Sequence, residues 1–429
     1  MTAGEGSMSG MGRRVQAGIF TAGFAGRRPP VPVAAERLEL AGLAAMRPRA
    51  RAYVGGGAGM ERTMAANRAA FDRVHILPRM LRNAARRDLS VELFGRRHAL
   101  PFLLAPIGVL DMAHRGADLA AARAAAAEGA GFVASSQSCF PMEAIAQAAA
   151  AGPRWFQLYW SSRDALTESF LRRAEAAGYE AVVVTLDTTQ LGWRPQDLDG
   201  AYLPFLRGRG IANYLSDTVF RDLPFEDANP GERAPIGPGA VASVAEMLRA
   251  WPGGPLRGLL SLPEAVRAVR RFIALYSRPD LSWEDLPFLR RCTRLPILLK
   301  GVLHPEDAAR AAAVGMDGLI VSNHGGRQVD GAVGALDALP GVVAAVGNRM
   351  PVLFDSGIRG GADIVKALAL GARAVLLGRP YVYGLALDGE AGVRAVIRHL
   401  AAELDLTLGL AGCPSIAALG PDTLWREPF

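Results

Sequence analysis

Short runs of apolar and β-branched residues alternate along most of this chain with Ala-, Arg- and Glu-rich stretches, the sequence form of repeated βα units. Eight runs read as strands: Phe102 to Ala105, Gly131 to Ala134, Arg154 to Leu158, Ala181 to Leu186, Pro296 to Lys300, Gly318 to Val321, Val352 to Phe354 and Ala374 to Leu377. Segments such as LRRAEAAGYE and PEDAARAAAVGMDG lie between them, with helical periodicity and a glycine at the expected C-terminal stop. Eight such units predict a closed α/β fold, a (β/α)8 TIM barrel.

The rhythm breaks once, after the fourth strand, where a long segment runs from about Gln190 to Pro287. Connections of that length inside compact domains are usually functional covers, so Tyr202 to Leu281, within an insertion of about 195–287, is a candidate lid. A surface insertion or an oligomer contact is the alternative. Val31 to Leu100, before the first strand, predicts an N-terminal helical arm capping the barrel. Residues 1–30, Gly-rich and polar, are expected to be a flexible start, which leaves 31–429 as one domain.

Composition narrows the class without changing that picture. Half of the 429 residues are hydrophobic, enough for a sizeable core, and no apolar run approaches the ~20 residues of a membrane helix. Arg13-Arg14 suggests an export signal, but the residues after it lack an apolar core and a cleavage site. Cys139, Cys292 and Cys413 are too few and too scattered for a disulfide framework or a zinc site, which fits a reducing cytoplasm and no metal. The net charge of +7 comes from arginines spread along the chain, with no basic block or aromatic platform for nucleic acid. Only Lys300 and Lys366 are lysines, so each lysine invites a question.

Chemistry in such barrels sits at the C-terminal ends of the strands. There the chain places Ser135, Gln157 and Tyr159, Thr185 and Asp187, and Lys300, then the runs SNHGGRQ, FDSGIRGG and LGRP. These mouth positions are polar while the strand interiors are apolar. The loops after strands seven and eight carry Asp355, Gly357, Arg359, Gly378 and Arg379, glycines and arginines suited to a phosphate-containing cofactor. The GGGAG after Tyr53 is not a dinucleotide fingerprint, because no strand precedes it and its spacing is wrong.

Ser322-Asn323-His324-Gly325-Gly326-Arg327-Gln328, followed by Asp330, resembles the signature of the FMN-dependent 2-hydroxy-acid oxidising family. APIGV, WFQLYW, TLDT, LPILLKGV, VLFDSGIRGGADIVKALALGA and GRP match in order, so the resemblance covers roughly Val31 to the C-terminus. Within the family, WFQLYW, TLDTTQLGWRPQDL and AYLPFLRGRGIANY look closest to lactate 2-monooxygenase. Oxidising an α-hydroxy acid needs a base, a clamp for the carboxylate and an electron acceptor against the α-carbon. His324 suits the base, Asp187 a group that holds its ring, and Arg327 a planar fork for the carboxylate. The resemblance adds Tyr53 as a second carboxylate donor, Tyr159 near the substrate hydroxyl and Arg194 close to the substrate. It also implies FMN. Lys300 then lies by the flavin N1 and O2 edge, Asp355 meets the ribityl chain, and Pro106, Ile107, Gly108, Ser135, Gln157, Thr185 and Ser322 contact the ring. Lys366 has an ordinary helical setting.

Two positions depart from the family pattern. Gln137 stands where many of its oxidases carry a Trp lining the substrate pocket, and Gly108 where several have Ala, which would leave more room beside the flavin. The resemblance implies oxidation of a small L-2-hydroxy acid such as lactate by oxygen, either releasing the keto acid and peroxide or completing an oxidative decarboxylation. The alternatives are a dehydrogenase with another acceptor and, from a different class, a flavin-binding protein without turnover. The resemblance further implies a homo-oligomer, commonly a tetramer.

Overall fold

A computed structural model describes residues 10–224, 237–252 and 254–426. Eight parallel strands close a barrel: β1 (Phe102–Leu104), β2 (Gly131–Ser135), β3 (Arg154–Leu158), β4 (Val182–Thr185), β5 (Ile297–Lys300), β6 (Gly318–Val321), β7 (Val352–Phe354) and β8 (Ala374–Leu377). The ring is sealed by the pairing of β8 with β1, with Leu376 opposite Leu103. All eight lie where the apolar runs place them. Side chains alternate in and out along each strand. Leu103, Val133, Trp155, Val183, Leu298, Ile320, Leu353 and Leu376 fill the barrel, while neighbours such as Phe102, Phe132 and Phe156 pack in the core shared with the helices.

The structure adds detail to three expectations. The Gly-rich start is a helix, Met11–Phe24, from just inside the described residues. Its glycine serves close approach rather than freedom: a Cβ on Gly12 would come within 2.7 Å of the Ala402 carbonyl oxygen, and Gly12 N–H donates to Asp405 at 2.8 Å. The arm between residues 31 and 100 is only partly helical. It includes Ala35–Ala45, Pro48–Gly55 and Arg62–Asp72, then strand Val74–Ile76, which pairs with Leu424–Arg426. A hairpin of Val91–Leu93 and Arg96–His98 follows and plugs the floor of the barrel with Val91, Leu93 and Phe94.

The long segment after β4 is the third. Its described part is docked through buried polar side chains. Asn213 donates to the carbonyls of Ser135 and Ser136 and to Ser138 Oγ, and accepts from Met142 N–H at 2.7 Å. Asp217, also buried, caps helix Thr218–Asp222 and pairs with Arg173 at 2.9 Å. Residues 225–236 of the expected lid lie outside the described residues. Among the described residues, no helix is long and apolar enough to cross a membrane.

Candidate active site at the barrel mouth

The ends of the strands converge on one cavity, whose lining includes Tyr53, Pro106, Ile107, Gly108, Gln157, Tyr159, Thr185, Arg194, Lys300, His324, Arg327 and Asp355. Its far rim holds Gly357, Arg359, Gly378 and Arg379. Ser135 and Ser322 lie behind this wall. Ser135 Oγ donates to Gln157 Oε1 at 3.0 Å, and Ser322 Oγ accepts from Lys300 Nζ at 2.8 Å, so each orients a neighbour that does face the cavity.

His324 follows β6 with a left-handed backbone, φ 57°, a costly conformation for a residue with a Cβ and one that concentrates at functional sites. Its Nδ1 is 2.7 Å from Asp187 Oδ1. A carboxylate at that distance fixes the proton on Nδ1 and leaves the Nε2 lone pair free. Burial pushes the imidazole below its ordinary value, with Lys300 and Arg194 lowering it and Asp187 raising it. His324 is therefore neutral at pH 7, the protonation state of a base. For Asp187, burial alone would raise the carboxyl, yet His324, Lys300 and Thr188 hold it well below the usual range.

Lys300 is buried, with Asp355 at 3.1 Å and Asp187 at 3.8 Å. Burial would lower its ammonium, but the two carboxylates raise it, so a cation stays fixed in the wall. Arg327 presents a different case. Its guanidinium donates to the backbone carbonyls of Tyr53 and Gly56 and lies 5.0 Å from the Tyr53 ring centroid. Burial first, then Arg194, lowers it to about 9, which still leaves it charged at neutral pH. Among the described residues, no ion pair with a carboxylate is seen for Arg327 or Arg194. The carboxylate of Asp197 is close enough to act on both guanidiniums without pairing with either, so two neighbouring buried cations keep hydrogen-bonding capacity of the kind a carboxylate ligand would use.

The rest of the wall fits a flavin. Gln157 Oε1 accepts from Ser135 and Ser136, while Gln157 Nε2 and Thr185 Oγ1 are buried without a partner among the described residues and belong to residues lining the cavity. Unpaired buried donors at the lip of a cavity call for acceptors from a ligand. At the far rim a Cβ on Gly378 would meet only Ile107, at 3.9 Å, so the backbone there is open to approach. Arg379 reaches the carbonyls of Val54, Gly325 and Gly56, and Arg359 reaches Glu39 at 3.3 Å. Gly108 corrects an expectation: a methyl there would lie 3.0 Å from Gln137 Cβ, so the glycine admits the Gln137 loop rather than leaving space.

Residues 44–426 match the model of the FMN-dependent dehydrogenase family. The chain belongs to that family. It is 41% identical to an L-lactate oxidase of Lysinibacillus sphaericus, over 87% of this chain and 88% of that one. It is 42% identical to an FMN-dependent alpha-hydroxy acid dehydrogenase of Penicillium citrinum, over 89% and 87%. Mandelate oxidase crystallised with (S)-4-hydroxymandelic acid superposes with a TM-score of 0.76 at 35% identity, covering 92% of this chain and 99% of that chain. The protein is thus an FMN-dependent oxidoreductase of 2-hydroxy acids, on the fold expected from the strand pattern.

Residues quoted only as parts of motifs turn out to have positioning contacts that the sequence did not assign. Thr188 donates to Asp187 Oδ1 at 2.8 Å and lies 3.2 Å from His324 Nδ1. Asn323 and Asn67 exchange amide hydrogen bonds at 2.7 and 2.8 Å, fastening the His324 loop to the arm. Asp330 accepts from Met60 and Arg62 N–H, both at 2.8 Å, and sets the glycine turn after Tyr53. The position of Thr188, directly after Asp187, was the available signal for the first. Leu203, Phe205, Ile273 and Tyr276 of the expected cover also line the cavity, although no residue of that segment was singled out from sequence. Lys366 donates to the Phe71 carbonyl at 2.9 Å, away from the mouth.

Proposed function

We propose that this chain oxidises a small L-2-hydroxy acid with oxygen and retains the keto acid for oxidative decarboxylation. The observation that carries the reading is His324, steadied by Asp187 at 2.7 Å, in one cavity with the buried guanidiniums of Arg327 and Arg194, neither ion-paired with a carboxylate among the described residues. His324 Nε2 takes a proton from the substrate, and Asp187 stabilises the imidazolium that results. Arg327, Arg194 and Tyr53 grip the carboxylate, and Tyr159 hydrogen-bonds near the hydroxyl. FMN, when bound, accepts the two electrons that leave the α-carbon.

Gln157, Thr185, Pro106, Ile107 and Gly108 would hold the ring, with Ser135 and Ser322 acting through Gln157 and Lys300. The Lys300 ammonium would offset negative charge gathered on the ring's N1 and O2 edge. Asp355 would meet the ribityl chain, and Gly357, Arg359, Gly378 and Arg379 the phosphate.

Decarboxylation requires the keto acid and the hydrogen peroxide formed on reoxidation to meet before either leaves. They then yield a carboxylic acid one carbon shorter, carbon dioxide and water. Supporting this are the docked insertion, whose Leu203, Phe205, Ile273 and Tyr276 line the mouth and hinder release, and the likeness of TLDTTQLGWRPQDL to the monooxygenase branch. The L-lactate oxidase relative favours a second reading, in which keto acid and peroxide are released. Aerobic turnover of lactate without catalase separates them: the first reading expects acetate and little peroxide. Stoichiometric peroxide with intact pyruvate overturns the decarboxylation and leaves the oxidation standing.

A further inference from the structure

Gln328 ends the SNHGGRQ run, and its amide uses both its donor and acceptor sides. Nε2 donates to the carbonyls of Asp187 at 2.7 Å and Gln190 at 2.9 Å. Oε1 accepts from Arg194 Nη2 at 2.6 Å, with Gly192 N–H at 3.4 Å. One side chain thus ties the loop after β6 to the loop after β4. It lies four positions after His324, and its partners include the backbone of Asp187 and the side chain of Arg194.

Arg194 needs such a tether. It is buried, and it lowers the charge affinity of Arg327, a mark of like-charge repulsion between the two. Its hydrogen bonds on the protein side are to Arg327 O at 3.0 Å and Gln328 Oε1. A guanidinium held near another of the same sign relaxes away when an acceptor that fixes it is removed. Leu or Met would keep the bulk without either hydrogen-bonding side, and a carboxylate would neutralise the charge meant for the ligand.

We infer that Gln328 is a positioning residue that holds Arg194 against its repulsion from Arg327, presetting the two-guanidinium clamp for a 2-hydroxy or 2-keto carboxylate. The inference rests on the proposed role of Arg194 at the substrate carboxylate. The test uses FMN-loaded enzyme and pyruvate, with binding read from the change in flavin absorbance and FMN content measured separately. Gln328→Met should retain FMN and bind pyruvate about ten- to a hundredfold more weakly, the scale of one charge-assisted hydrogen bond. KM for lactate should rise more than kcat falls. The decisive measurement is the double-mutant cycle: adding Gln328→Met to Arg194→Met should weaken pyruvate little beyond Arg194→Met alone. Additive losses, or parental affinity in Gln328→Met, overturn the inference. If Arg194→Met itself binds pyruvate normally, the carboxylate role of Arg194 falls and this inference with it. Should Gln328→Met not fold, Gln328→Asn withdraws the amide by one methylene and carries the same expectations.

Discussion

The two ends of the barrel bury ionisable groups in opposite ways. At the mouth, Lys300, Asp355, Asp187 and His324 are packed together as charges or charge acceptors, each with a partner within 3.1 Å. At the floor, Trp155 meets Phe94 at 5.6 Å and His98 at 6.1 Å between ring centroids, and His98 is 1% exposed with neither ring nitrogen hydrogen-bonded among the described residues. Burial lowers the mouth histidine while a carboxylate opposes the shift. The floor histidine has no such opposition, and burial, aided by Arg96, takes it down to about 4. One fold therefore pairs charge at the mouth, where the proposed chemistry lies, and disfavours it at the floor, where side chains only pack.

The largest expected effect removes the proposed base at the mouth. His324→Ala should keep its FMN and its melting temperature to within a few degrees, because the cofactor wall and the core are untouched. Anaerobic bleaching of the flavin by lactate should slow by about 10²–10⁴-fold, the usual contribution of a general base. Bleaching at the parental rate would take His324 out of the chemistry and break the contrast at its functional end.

Trp155→Ala is the mirror experiment. It empties the middle of the floor and should cost about 3–5 kcal/mol, read by denaturant unfolding of the FMN-loaded protein. The folded fraction should still be bleached at near the parental rate, since β3 presents Gln157 at the mouth while Trp155 points into the barrel. A loss of turnover matching the loss of stability would mean that the two ends are coupled and the comparison is too sharp.

Local pattern explains what could be read from sequence. The strands are short apolar runs, and the polar residues at their C-terminal ends are adjacent to them in the chain, so β1 to β8 and the positions of Lys300, Asp187 and His324 were legible. Contacts between distant segments were not. Gly12 meets Asp405 across 393 residues and Asn67 meets Asn323 across 256, and neither partner carries a mark of the other. Glycines suggested a flexible start before residue 31 and room at Gly108, whereas a methyl on Gly12 would collide with the helix holding Ala402 and one on Gly108 would crowd Gln137. The floor hairpin was hidden for a similar reason, since RRH has the look of solvent-facing sequence and only its histidine turns inward.

A smaller effect sharpens the mouth. In Asp187→Asn the imidazole of His324 loses the neighbour that raises it, so the acidic limb of the anaerobic reduction rate should move to lower pH. The plateau should fall as well, because the imidazolium formed in the reaction loses its counter-charge. A limb that stays in place would assign it to another group.

His98 gives the last test, at the floor and on stability alone. Its folded value is depressed from 6.5 to about 4, so in the unfolded chain it takes up a proton as the pH falls below 6.5 while the folded protein does not. Protonation then favours the unfolded state, and the stability present above 6.5 is lost progressively until the pH nears 4, where the folded protein also binds the proton. His98→Leu, close in volume, removes the titration and two unpaired ring nitrogens from the core. At pH 7 the variant should equal or exceed the parent, since an unpaired buried polar atom is unfavourable. Between pH 7 and pH 5 its advantage in urea unfolding should grow by about 2 kcal/mol, with catalysis at pH 7 unchanged. The pH slope is what discriminates: a constant offset would mean that His98 matters only for packing, and that its charge is accommodated at the floor after all.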